Sequence, residues 1–131
     1  MTWYFNNEEY NEVSDPKLVG FVYIITNLKD NRKYVGKKSF FFSKTKQVNK
    51  KKKKYKAESD WKTYYGSNDE LQKDVEKFGS ENFKREIVEL CYSKGKCSYI
   101  EAKLQFQNEV LESNEWYNGY IMCRIHKSHV K

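Results

Sequence analysis

The stretch Gly20-Phe21-Val22-Tyr23-Ile24-Ile25-Thr26 is β-branched or aromatic at nearly every position, so its backbone favours an extended strand. Asn27-Leu28-Lys29-Asp30-Asn31 follows at once with turn formers, and Arg32-Lys33-Tyr34-Val35-Gly36 resumes strand composition. Two strands joined by a short polar turn make an antiparallel hairpin. The rest of the chain has to be arranged around it.

Residues 1–19 are mixed and aromatic, and Ser14-Asp15-Pro16 is a turn signal that delivers the chain into the hairpin, so this segment reads as an N-terminal arm. Beyond the hairpin, Ser67-Asn68-Asp69-Glu70 has the S-x-x-E form of a capping box. Leu71, Val75 and Phe78 follow at helical spacing, with Gly79 as the stop, which predicts a helix over about residues 68–78. Residues 82–91 alternate as a third strand paired with the hairpin, although Val88 and Leu90 leave its register open. Ser98-Tyr99-Ile100-Glu101 is a second S-x-x-E box, opening a helix that should run to about Leu111. A turn at Asn118-Gly119 precedes an apolar run expected to return to the core. The expected fold is α+β, a small three-stranded antiparallel sheet flanked by helices. At 131 residues and 15.8 kDa, residues 20–131 make one domain behind the arm.

Charge then narrows the partner. Residues 29–56 hold 13 Lys or Arg against the single acid Asp30, a net +12, while the rest of the chain stands at −5. A polyanion is the natural partner of so local a charge. Within it, Ser43-Lys44-Thr45-Lys46 through Lys56 is mostly lysine, and self-repulsion predicts a solvated, mobile loop over 43–60. Lys37 and Lys50, Lys51, Lys52, Lys53 and Lys54 are candidates for phosphate contact, with Trp61, Tyr64 and Tyr65 as faces on which bases could stack. No apolar face accompanies the lysines, and no run reaches the roughly 20 apolar residues that span a bilayer. The first residues lack the basic start of a signal peptide, so an intracellular protein is expected. Cys91, Cys97 and Cys123 have no zinc spacing and read as reduced thiols.

The order strand, strand, helix, strand, helix, with Phe21-Val22-Tyr23 and then Tyr34-Val35-Gly36, resembles the GIY-YIG nucleases. Ten residues separate Tyr23 from Tyr34, Glu101 lies on the helix after the third strand, and Asn118-Gly119-Tyr120 stands near the end. The resemblance covers residues 20–121 and is to the small freestanding homing or restriction enzymes of phages. It implies a Mg²⁺-dependent (or Mn²⁺-dependent) DNA endonuclease that uses one ion, works as a monomer or weak dimer, and acts in the cytoplasm of an infected bacterial host. It further implies that Tyr23 lies near the attacking water, Tyr34 near the phosphate or the ion's water shell, Glu101 on the ion, and Asn118 in the site.

Each of these residues also has an ordinary reason to be where it is. Tyrosine is a common strand residue, Glu101 is the N3 residue of the Ser98 box, and Asn-Gly is a turn. The pattern also departs from the family. Phe21 stands where the family has glycine. Its helix arginine falls on Lys44, leaving Lys38 or Lys44 to supply charge without a bidentate fork. Its histidine is missing, with Tyr64 or Tyr65 as stand-ins. The alternative is therefore a catalytically inactive nucleic-acid-binding module that works through the lysine segment. A third reading is an interaction protein docking an acidic partner.

Overall fold

A computed structural model describes residues 2–130. Its strands are β1 (Trp3–Phe5), β2 (Glu8–Tyr10), β3 (Gly20–Asn27), β4 (Lys33–Ser39), β5 (Phe41–Val48), β6 (Lys51–Glu58) and β7 (Phe83–Cys91). The α-helices are α1 (Asp69–Phe78) and α2 (Lys94–Gln107). The class is α+β as expected, but the sheet is larger and mixed. Five strands run in the order β2-β1-β7-β3-β4, and β5-β6 forms a separate two-stranded ribbon. The three expected strands form one antiparallel side of it, β3 pairing with the edge strand β4 on one side and with β7 on the other.

Two segments account for the difference. Asn6 and Asn7 take positive φ of 53° and 65°, the left-handed pair of a tight hairpin turn, so the presumed arm folds on itself as β1 and β2. Its β1 then pairs parallel with β7, seating Trp3 in the core at 1% exposure. The lysine segment forms strands as well. Asn49 and Lys50, at φ 50° and 62°, turn β5 into β6 in the same manner. Charge made this segment read as a loop because, with both faces in water, it has no apolar alternation.

β3 is covered on both faces. Phe21, Tyr23 and Ile25 join Trp3, Phe40, Trp61, Leu71 and Phe83 in one cluster, against which Val75 and Phe78 of α1 pack. Val22 and Val35 form the other with Cys91 and Cys97, capped by Ile100 and Leu104 of α2. A bulge shifts the β3–β7 register between Val22 and Tyr23, leaving Val88 unpaired. That extra residue is why alternation along residues 82–91 cannot be phased from sequence.

Both helix starts shift from the predicted boxes. Asn68, not Ser67, caps α1, its Oδ1 accepting from the Leu71 amide at 2.9 Å. Ser93 caps α2, its Oγ accepting from the Lys96 amide at 3.1 Å. Ser98 and Glu101 are therefore interior helix residues, and α2 ends at Gln107 rather than Leu111. Of the tail after Asn118, Ile121 returns to pack against the second cluster, while Tyr120 and Met122 are exposed. No described helix is long and apolar enough to cross a membrane.

Candidate active site

A cleft of about 210 Å³ opens between β4, the start of α1, α2 and the tail, lined by Tyr34, Lys37, Ser67, Glu101, Gln105 and Asn118 among others. Strand alternation carries Tyr34 toward it, and the Tyr34 hydroxyl lies 3.2 Å from Ser67 Oγ. Lys37 donates from Nζ to Ser98 Oγ at 2.6 Å, which holds the ammonium against α2. One turn further along that helix is Glu101. Burial raises the Glu101 carboxyl above the usual carboxylate range, and the Lys37 charge partly opposes this. With Ser93 as the cap, the capping account of Glu101 falls away.

Tyr23 lies beneath the cleft rather than in its wall, at 1% exposure. Gly36 makes room for it. A Cβ there would stand 2.6 Å from the Tyr23 Cζ and 2.9 Å from the Tyr34 ring, so glycine in Tyr34-Val35-Gly36 is what lets the two rings share this space. Their centroids are 6.2 Å apart, and Tyr64 meets Tyr23 edge-on at 6.1 Å. Burial, then the neighbouring Tyr64 and Tyr34, push the Tyr23 hydroxyl well above the ordinary phenol value. Burial raises Tyr34 too, with the Ser67 hydrogen bond working the other way.

Asn118 is committed to β4. Its Oδ1 accepts from the Val35 amide at 3.0 Å and its Nδ2 donates to the Val35 carbonyl at 2.9 Å. The side chain thus pairs with the strand as another backbone would, fixing the residue between Tyr34 and Gly36.

Other expected residues lie elsewhere. Lys38 is bound to Asp60 at 2.6 Å and sits 4.0 Å over the Tyr64 ring, so its charge faces the underside of the site. Lys44 projects from β5, an exposed ribbon strand outside the cleft. Lys50 is in the ribbon turn and Lys51, Lys52, Lys53 and Lys54 are on exposed β6. Trp61 is fully buried, against Phe40 at 5.0 Å, and offers no face to a base. Tyr65 stacks on the Arg85 guanidinium at 4.4 Å, and Trp3 covers the same cation at 4.6 Å. Arg85 donates to the carbonyls of Lys62 and Tyr64, holding the segment that carries Tyr64. Of the two tyrosines weighed as stand-ins for histidine, Tyr64 is the one that reaches Tyr23.

Sequence reasoning missed Gln105 and Ser98. Gln105 is 5% exposed, and its Oε1 has no hydrogen-bond donor among the described residues, although it lies in the cleft lining one helical turn from Glu101. A divalent ion fits this donor set. Mg²⁺ takes one or two protein oxygens and completes its shell with water and substrate. The i, i+4 spacing of Glu101 and Gln105 was the available signal.

This α+β fold brings paired strand tyrosines and a helix carboxylate to one region. The chain belongs to the GIY-YIG nuclease superfamily, for residues 3–121 match the SegE_GIY-YIG family, described as "Putative endonuclease segE, GIY-YIG domain". No curated protein and no solved structure gives a significant match.

Proposed function

We infer that the chain is a Mg²⁺-dependent endonuclease that hydrolyses DNA phosphodiester bonds by direct attack of water. The observation that carries this is the meeting of Tyr34, Lys37 and Glu101 in one cleft, with Tyr23 directly under Gly36. Glu101 and the Gln105 carbonyl are the groups to hold the ion, which when bound supplies counter-charge to the scissile phosphate. Lys37, steadied by Ser98, brings positive charge to the phosphate where the family uses arginine. The Tyr34 hydroxyl stands in the cleft wall and takes the water proton. Its phenolate is favoured only when positive charge is near, which Lys37 and the bound ion provide. Tyr23 supports Tyr34 from below, and Asn118 fixes the strand between them. One such site cuts one strand at a time, so a double-strand break needs two chains or two events.

A second reading, a nucleic-acid-binding module without catalysis, draws on the burial that raises both phenols above their ordinary value and so disfavours a phenolate base. Nicking of supercoiled plasmid separates them. The nuclease converts it to open circles with Mg²⁺ and stops in EDTA, whereas the module shifts its mobility in both and cuts in neither.

A further inference from the structure

The ribbon β5-β6 is the largest feature that the cleft does not use. Phe42 through Gln47 and Lys51 through Lys56 are all exposed, so the ribbon has two wet faces and no core of its own. Such a ribbon is marginal by itself. Here Lys46 is set directly across from Lys53, and four lysines follow one another at the start of β6. Like charges so placed destabilise a strand pair, so the ribbon keeps its form against its own electrostatics. A polyanion reverses that sign.

The pairing register sorts the side chains. Cross-strand partners share a face, which puts Ser43, Thr45 and Gln47 opposite Lys56, Lys54 and Lys52 on one face. The other carries Lys44, Lys46, Lys51 and Lys53 with Tyr55 and Val48. On the first face every side chain is of a type that can donate or accept a hydrogen bond at a base edge. The major groove of B-DNA, about 12 Å wide, admits a two-stranded ribbon, and eight residues at about 3.3 Å each run for most of a helical turn. Single-stranded DNA would instead call for a row of stacking aromatics, and the exposed rings here are Phe42 and Tyr55.

We propose that β5-β6 is a major-groove reading ribbon for duplex DNA. Its Ser43, Thr45 and Gln47 face meets base edges, and its Lys44, Lys46, Lys51 and Lys53 face reaches the flanking phosphates. The roots direct what it holds toward the cleft. β4 runs through buried Phe40 into β5, and the Ser59 amide donates to the Phe40 carbonyl at 2.8 Å as β6 leaves. Lys38 and Asp60 join the two roots, and Lys37 follows Gly36 on the same strand. That the bound duplex is also the substrate rests on the nuclease reading above.

The test is binding of the full chain to duplexes in EDTA, where no cutting is needed, by anisotropy across a salt series and by selection from a randomised duplex. Changing Lys44, Lys46, Lys51 and Lys53 together to Gln should make the slope of log affinity against log salt shallower by about 3–4, at about 0.9 per phosphate, and leave the selected sequence unchanged. Thr45→Val with Gln47→Leu should leave the slope alone, relax the selected sequence, and weaken the parent's preferred site by about 10-fold or more. The proposal is overturned if neither variant differs from the parent, if the two effects are exchanged between faces, or if the parent selects no sequence. Tighter binding to the single strand also overturns it. Plasmid nicking by a parent whose ribbon variants bind normally would remove the ribbon and leave the nuclease. The predicted binding changes without nicking would do the reverse.

Discussion

Glu101 is held where ionisation is costly, and this gives one substitution two opposite effects. Its folded pKa is raised, so at neutral pH the ionised side chain opposes folding. That cost fades as pH falls through the raised value toward about 4.3, where the unfolded chain is protonated as well. Glu101→Gln should therefore melt no lower than the parent at pH 7, with the two melting curves converging near pH 4. Thermal unfolding by circular dichroism at both pH values checks this, and a clear fall in Tm at pH 7 would mean that the carboxylate is a structural partner. Tyr34→Phe keeps the ring against Gly66 and Gly36 and loses the hydroxyl in the cleft wall. Cleavage should drop about 10²–10⁴-fold with Tm nearly unchanged, as expected for loss of a proton-transferring group. A variant that cuts like the parent would take the water proton away from Tyr34.

Among the elements, β4 and its outer edge decide whether the cleft keeps its shape. Asn118→Ala strips its partner from the amide of fully buried Val35 and leaves the Val35 carbonyl only the 3.5 Å bond from Gln105 Nε2. The cost should be about 1–3 kcal/mol in urea unfolding, the penalty of one stranded buried group, and cleavage should fall with it. Wild-type stability would show the edge satisfied some other way. The hairpin β3-β4 was legible because its apolar run and polar turn leave no other local choice. The α2 start was not. Ser93 and Ser98 both fit an N-cap, and tertiary contact, with Cys97 buried against β3 and Ser98 turned to Lys37, chose the earlier one. That displacement matters because it frees Glu101 from the cap. β1 and β2 were hidden by being three residues long, although Asn6-Asn7 carried the turn signal. The cleft itself depends on residues 67, 105 and 118 each bonding Tyr34 or Val35 of β4, and no local pattern carries such distant pairings.

Over the whole molecule, tyrosine ionisation sets the alkaline limit. Tyr23 and Tyr34 are raised by burial, and Tyr117 is pushed up to about 12 by burial and by its 2.6 Å hydrogen bond to Asp74. The folded chain thus keeps protons that the unfolded chain releases near pH 10. Stability should be level up to about pH 9.5 and fall as pH rises through 10 toward 12, since the native state then binds more protons. Urea midpoints at pH 8 and pH 11 measure this, and equal values would contradict the burial of these hydroxyls. The larger claim is that fold, cleft and basic ribbon together make a metal-dependent nuclease with Glu101 at its ion. Nicking of supercoiled plasmid by the parent and by Glu101→Gln across a Mg²⁺ titration tests it most directly. The account predicts that the parent nicks at low Mg²⁺ and stops in EDTA, while Glu101→Gln binds the same DNA and loses most cleavage, with at best partial recovery at high Mg²⁺ or in Mn²⁺. Equal nicking by both proteins at low Mg²⁺ would contradict it.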